Sequence, residues 1–351
     1  MPTGNSDSHC SENRKGMKVS IIIPVYNVAP YIGDCLRSVM RQTYSGTMEC
    51  LLVDDCGEDD SMAIVERMIA GYDGTIQFKI LHHERNRGLS AARNTGTLEA
   101  VGDYLYYLDS DDEITDDCLE KLMKPMIEHP EIEMVQGNAC CHPMNGESFI
   151  LVKEVILHLA KTNLEVRRCY YQFGQIYVSV WNKLLKRSII TTNNILCKEG
   201  LLFEDHLWLF FLLKYVENAA FVADITYHQK KRPQSITTGT DEQTRWYLLS
   251  TIYCEILNNL TPGHEQEECD YYARVIASAH VRYVHMVPKY KEILQLCREK
   301  CKQYGSRYSR LILTVSYILG KTTYGPTIWG WLSWVRRAMR ARKSKTSQCT
   351  K

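Results

Sequence analysis

The sequence predicts an α/β fold: a mostly parallel sheet with helices on both faces, followed by a C-terminal helical extension. Three observations lead there. Over roughly the first 140 residues, short β-branched apolar runs alternate with helical apolar patterns, an order that demands parallel strands joined by right-handed crossovers. Glycine, proline and asparagine punctuate the alternation at the expected places. Polar motifs fall at or just after the carboxyl ends of the strands, where such sheets bind ligands.

The elements follow in order. Lys18–Tyr26 (KVSIIIPVY) is apolar and β-branched, closes on Asn27, and reads as a buried strand. Pro30 opens a helix with Tyr31, Ile32, Leu36, Val39 and Met40 on one side, proline being suited to a first helical turn. Glu49–Asp54 is the second strand, Ser61–Ile69 the second helix, stopped by Gly71, and Ile76–Leu81 the third strand. Ser90–Ala100 is the third helix, Asp103–Leu108 (DYLYYL) the fourth strand, a helix follows from Thr115, and Ile132–Gln136 is the fifth strand. Beyond Ile150 the rhythm changes: Trp181–Ile190, Phe203–Val216 and Thr240–Leu260 read as helices, with Ala219–Tyr227 a strand among them. Thr240 with Gln243 forms a capping-box signature. Gln266–Leu319 is almost entirely helical in pattern.

These patterns divide the chain into a polar leader over 1–16 that reads as disordered, an α/β domain over 17–238 with halves 17–140 and 141–238, a helical extension over 239–320, and a basic tail over 321–351. In the tail, Ile328, Leu332, Val335 and Met339 form an apolar stripe bordered by Trp329 and Trp331, with Arg336, Arg337, Arg340, Arg342, Lys343 and Lys345 supplying charge. Residues 328–345 read either as a helix lying on an anionic membrane surface or as one packed on the domain with a solvated basic end. The 42 basic and 41 acidic residues leave a net charge of +1, so no global field draws the chain onto nucleic acid. The leader carries no signal-peptide pattern, and no run reaches the roughly 18 apolar residues of a membrane span; the expected location is cytoplasmic, peripheral on the inner membrane face if the tail binds lipid. The 14 cysteines are scattered without paired CxxC spacing, which argues against structural zinc and for reduced thiols used as small apolar residues; Cys140-Cys141 is a vicinal pair with no evident purpose.

Five constellations carry chemistry. Asp109-Ser110-Asp111-Asp112, with Glu113 behind it, closes the fourth strand. Carboxylates packed so closely raise one another's pKa, and Mg²⁺ or Mn²⁺ would relieve the repulsion through oxygen ligands; a turn capping the next helix is the alternative. Asp54-Asp55 ends the second strand before Cys56-Gly57, where a carboxylate could accept from a base N–H or simply cap a turn. Asn86-Arg87-Gly88-Leu89-Ser90-Ala91-Ala92-Arg93-Asn94 combines a helix N-terminus with arginines, a setting that favours an anion. Glu204-Asp205 opens an apolar helix, either complementing its dipole or serving as a general base of raised pKa. Tyr227-His228-Gln229-Lys230-Lys231-Arg232 follows a strand and could close over a phosphate or form a basic surface turn.

Taken jointly, these residues resemble the family 2 glycosyltransferases of the GT-A fold, of the kind that build bacterial polysaccharides. The resemblance rests on Ser20–Asn27, Val53-Asp54-Asp55, the N-x-G-x-x-x-A-R-N spacing of 86–94, Leu108–Asp112, Trp181-Asn182-Lys183-Leu184 and Glu204-Asp205, and spans about residues 17–238. It implies an inverting transfer from a nucleotide-diphosphate sugar, UDP-linked, to a glycan or lipid-linked acceptor hydroxyl, with Mg²⁺ or Mn²⁺. Pro24, Val25 and Tyr26 would border the nucleotide, Asp55 would bond the base, Arg93 would approach the donor, and Asp109 and Ser110 would lie near the ribose. Asp111, with Asp109, would hold the metal. Asp205, ahead of Glu204, would be the base, and Trp181, Lys183, His228 and Arg232 would touch phosphate or acceptor. The chain has Cys56-Gly57 where the family usually has Gly-Ser. A nucleotidyltransferase would want a glycine-and-basic loop where Pro24–Asn27 stands, and a decayed binding protein would be expected to have lost some of these acids.

Overall fold

The computed structural model describes residues 17–322 apart from 234, together with 326, 327, 329 and 330. The leader over 1–16 and most of the basic stripe of 328–345 lie outside the described residues. The chain divides into two compact units, Met1–Gly239 and Thr240–Lys351.

The first unit is built on one mixed sheet. Its strands are β1 (Lys18–Val25), β2 (Thr47–Asp54), β3 (Gln77–His82), β4 (Tyr104–Tyr107), β5 (Glu113–Ile114), β6 (Met134–His142), β7 (Phe149–Ile150), β8 (Leu159–Ala160), β9 (Lys183–Lys186) and β10 (Ala219–Lys230). Their order is β3-β2-β1-β4-β9-β6-β10-β5, with β7 paired to β6 and β8 to β10. The pairs β1–β2, β2–β3, β1–β4 and β6–β10 are parallel, while β9 runs antiparallel to both β4 and β6. Two antiparallel steps restore direction, so β1, β2, β3, β4, β6 and β10 all point the same way and deliver their carboxyl ends to one edge.

The helices of this unit are α1 (Ala29–Met40), α2 (Ser61–Ala70), α3 (Leu89–Glu99), α4 (Cys118–Glu128), α5 (Asn163–Tyr171), α6 (Arg187–Thr192), α7 (Asp205–Leu212) and the single turn α8 (Ile236–Gly239). β1 explains the layering. Val19, Ile21, Ile23 and Val25 join one core with Ile32, Cys35, Leu36 and Val39 of α1 and Leu119, Leu122 and Met126 of α4. Ile22 points the other way, toward α3, where a Cβ on Gly96 would come within 2.4 Å of it. A strand buried on both faces must read as a continuous apolar run, which is why β1 shows no alternation.

The alternating half matches its expected order, with a short β5 preceding α4, which starts at Cys118 rather than Thr115. The stretch 181–190 forms the expected helix only from Arg187 onward, in α6. Asn182 adopts φ 55°, and the next four residues become β9, which fills the space between β4 and β6 and hydrogen-bonds to both. That pairing outweighs a local helical spacing. β6 and β10 also run longer than expected, to His142 and Lys230, because each supplies the other's ladder.

The second unit contains α9 (Glu242–Asn258), α10 (Glu265–Tyr283), α11 (Lys289–Gln303) and α12 (Arg307–Leu319). The cap of α9 is Asp241, whose side chain accepts from Thr244 N at 2.9 Å, instead of the Thr240 capping box. All described cysteines are free thiols, and no described helix is long and apolar enough to cross a membrane.

Candidate active site

The acidic run begins where the buried strand β4 ends. Asp112 N donates to Asp109 O at 3.1 Å, turning the chain so that its carboxylates diverge. Asp112 faces inward, only 3% exposed, and accepts from Tyr227 OH and from Lys230 N, each at 2.7 Å. Burial, and then the charges of Asp111 and Asp109, push its pKa well above the ordinary value. Its work is to lock the end of β10 to the acidic turn. Glu113 pairs with Lys230 and tightens the same junction.

Asp111 and Asp109 are the members that face the edge of the sheet. Asp111 accepts from Arg232 Nε at 2.6 Å, and that guanidinium lies 5.4 Å from the centroid of the Tyr31 ring. Burial and the neighbouring Asp109 raise the pKa of Asp111, with Arg232 opposing. Hard carboxylate oxygens under mutual repulsion are a donor set that suits a divalent cation of the Mg²⁺ or Mn²⁺ type. Ser110 is buried at the apex of the turn.

Arg93 joins this strand end to a distant one. It sits on α3, 3% exposed, donating from Nη2 to Asp109 Oδ1 at 2.7 Å and from Nη1 to Glu204 Oε1 at 2.5 Å. Its Nε has no hydrogen-bond partner among the described residues. Burial opposes the charge, but Asp109 and Glu204 outweigh it and hold the guanidinium ionised. The sequence reading sent Arg93 toward the donor's diphosphate; instead both of its terminal nitrogens are engaged by protein carboxylates. Asn94 reinforces the link, donating to Cys197 O and accepting from Cys197 N, both at 2.8 Å, which ties the segment leading to α7 onto α3.

Glu204 and Asp205 stand at the start of α7, directly after Phe203 with its φ of 63°. Burial lifts Glu204 to about 7 against the pull of Arg93. Burial also raises Asp205, with Arg93 and Lys183 opposing and Asp109 adding to it. Asp205 is the more exposed of the two, and no hydrogen bond from Arg93 occupies it. A carboxylate held above its usual range beside a metal-type acidic turn can take a proton from an incoming hydroxyl.

Asp55 marks the neighbouring strand end. Its oxygens accept from Arg87 N and Gly88 N at 2.8 Å, and Oδ1 lies 2.6 Å from His83 Nδ1. His83 Nε2 meets Thr95 Oγ1 at 2.8 Å. Gly88 has φ 88°, a backbone angle that costs glycine little, and this lets two successive amides converge on one carboxylate. Asp55, expected to bond a base, is thus the anchor of the loop ahead of α3. Pro24 and Val25 are buried at the end of β1, and the ring of Tyr26 is 44% exposed just beyond them.

The tryptophan-asparagine-lysine motif lies beneath this edge. Trp181 is buried and stacks on Tyr227 with centroids 4.3 Å apart. Lys183 is fully buried, donates to Ser179 O and Oγ at 2.9 Å and to Tyr177 O at 3.2 Å, and is pushed down to about 7 by burial. Neither residue is the surface ligand for phosphate or acceptor that the sequence suggested. Trp181 supports Tyr227, and Lys183 holds the backbone at Tyr177 and Ser179. His228 points away from Tyr227, toward His142, with Nδ1 at 3.0 Å from His142 Nε2. Of the four residues assigned to phosphate or acceptor, only Arg232 reaches the acidic turn. Sequence reasoning missed Tyr227 and Lys230 as clamps on Asp112, and His83 as the partner of Asp55; the period-two alternation along β10, which separates Tyr227 from His228, was the available signal for the first.

Residues 20–190 match the family model described as Glycosyl transferase family 2. The chain is 26% identical over 329 residues to the uncharacterized glycosyltransferase YibD of Escherichia coli, covering 90% of this chain and 92% of that one. Among solved structures it resembles S. aureus TarS 1-349 in complex with UDP-GlcNAc, with a TM-score of 0.67 at 22% identity, covering 87% and 88% of the two chains. It also resembles the mannosyltransferase PcManGT of Pyrobaculum calidifontis in complex with GDP-Man and Mn²⁺, with a TM-score of 0.55 at 16% identity, covering 88% and 82%.

Proposed function

Because the chain belongs to the family 2 glycosyltransferases, we propose that it moves a sugar from a UDP-linked donor to an acceptor hydroxyl, with inversion, in the assembly of a surface polysaccharide or other glycan. The observation that carries this reading is the convergence of Asp109, Asp111, Arg93, Glu204 and Asp205, from three separate segments, at the carboxyl edge of the sheet. The UDP preference leans on TarS, whose structures hold UDP-GlcNAc and UDP.

Asp205 takes the proton of the acceptor hydroxyl, which attacks the anomeric carbon from the face opposite the departing nucleotide. Asp111 and Asp109 would hold Mg²⁺ or Mn²⁺, which supplies Lewis-acid stabilisation of the leaving diphosphate when bound. Arg93 keeps Asp109 and Glu204 in place, and Glu204 in turn fixes the start of α7. Tyr26, Asp55 and Ser110 border the nucleotide. Arg232, held beside Asp111 at 2.6 Å, is the basic side chain placed to meet donor phosphate. The acceptor is a glycan or a lipid-linked saccharide; residues 328–345 would bring the protein to an anionic membrane where that lipid resides, on the cytoplasmic face.

The test is transfer from a panel of nucleotide sugars, with UDP binding followed by calorimetry. Asp205→Asn should lower kcat by about 10²–10⁴-fold while leaving metal-dependent UDP binding intact, and Asp111→Asn should weaken that binding. Undiminished transfer by both variants would sink the mechanism.

A further inference from the structure

Away from the acids just described, the ends of β6 and β10 bring together three side chains that the proposed transfer does not use. The register sets His228 beside Cys140 and Lys230 beside His142. One potential ligand atom from each of Cys140, His142 and His228 lies within 4.8 Å of the other two, and all three residues are partly buried. The imidazoles stack with centroids 5.2 Å apart, with His142 Nε2 3.0 Å from His228 Nδ1.

We propose that Cys140, His142 and His228 form a binding site for a borderline-soft divalent cation of the zinc class, separate from the acidic turn. The geometry of the nitrogens is the first support. Two bonds of about 2.0–2.1 Å meeting at about 90–110° place their nitrogens about 2.9–3.4 Å apart, and the observed pair is at 3.0 Å. With a Zn–S bond of about 2.3 Å, a tetrahedral ion sets sulfur about 3.6 Å from each nitrogen; starting within 4.8 Å, Cys140 Sγ has little more than an ångström to travel. The second support is an outer partner. His142 Nδ1 lies 2.8 Å from Ser148 Oγ, and in the tautomer that donates there, Nε2 turns its lone pair toward His228. Metal-ligating histidines are held in this way.

The donor chemistry separates this site from the catalytic one. One thiolate and two imidazoles favour zinc, cobalt or copper, whereas the oxygens of Asp109 and Asp111 favour magnesium or manganese. Binding converts the Cys140 thiol to thiolate, releasing its proton to solvent, and leaves one tetrahedral position for water or an external donor. An ion here would staple β6 to β10 two residues before Lys230 grips Asp112 and four before Arg232 meets Asp111. The stapled segment is the one that closes on the acidic turn.

The full chain is titrated with Co²⁺ alone and then with Zn²⁺ alone against a chromophoric chelator. One equivalent of Co²⁺ should produce a thiolate-to-cobalt charge-transfer absorption, abolished in Cys140→Ser and unaffected in Asp111→Asn. His142→Gln should lower Zn²⁺ affinity by at least about tenfold, the cost usual for outer-sphere partners alone. Circular dichroism establishes that each variant is folded, and either variant suffices. Absence of the charge-transfer band in the wild type, or its persistence in Cys140→Ser, would overturn the site and leave the histidines as a hydrogen-bonded pair.

Discussion

Replacing Arg93 by methionine tests the central linkage of the site. The substitution keeps a long apolar stem and removes the guanidinium that donates to Glu204 at 2.5 Å and to Asp109 at 2.7 Å. The Glu204 side chain is 4% exposed and that of Asp109 24%, so one acid is left charged in the interior and the other partly so. Removing one partner of a buried pair costs about 3–5 kcal/mol. For a unit of this size each kcal/mol lowers Tm by roughly 2–4 °C, giving a fall of about 8–16 °C at 4 kcal/mol. The loss has a defined pH dependence. Glu204 is already raised to about 7 with Arg93 opposing, so without Arg93 its pKa rises further. A carboxyl whose folded value exceeds its unfolded one contributes fully below the unfolded value, near 4.5, and loses that contribution as pH rises through the folded value. The Tm deficit of Arg93→Met should therefore be small near pH 5 and largest above pH 7. The double variant Arg93→Met/Glu204→Gln should recover much of it. Thermal melts of wild type, both single variants and the double variant at pH 5 and 8 decide the matter. A deficit independent of pH, or a double variant no more stable than Arg93→Met, would refute the linkage.

Two further outcomes follow from packing and burial. Lys183→Met should gain stability relative to wild type as pH falls from about 10 toward 7 in paired melts, because a lysine depressed to about 7 in the folded state loses its contribution as pH drops through that window, while methionine has no such dependence; a difference that does not vary with pH would contradict the buried, partly neutral lysine. Gly96→Ala should cost about 1–3 kcal/mol by denaturant unfolding, since the added methyl would meet Ile22 Cγ2 at 2.4 Å and Val53 Cγ2 at 3.3 Å, and unchanged stability would mean that α3 can ride off the sheet at no cost.

Much of the fold was legible because its signals are local. A buried parallel strand is largely apolar, so Lys18–Val25 and Thr47–Asp54 announce themselves, and Pro30 marks a helix start by its fixed φ. Residues 183–186 misled because β9 owes its form to β4 and β6, strands dozens of residues away, and a four-residue strand is too short to display a period. The cap of α9 shifted from Thr240 to Asp241 within the uncertainty of one residue that local signals carry.

The acids of the site were legible as acids at strand and helix ends, but their division of labour was not. Sequence alone determined that Asp109, Asp111, Asp112, Glu204 and Asp205 would sit where buried elements end, since charge cannot continue into a dry strand or apolar helix without a partner. Only the tertiary structure decided which partner each obtained. Asp112 went to Tyr227 and Lys230, Asp111 to Arg232, Asp109 and Glu204 to one shared arginine, and Asp55 to two amides of the loop ahead of α3. Those pairings join residues up to 121 positions apart. A side chain's place along its own element is set by local backbone period, whereas the charge that satisfies it is set by which distant segment the fold brings within about 3 Å.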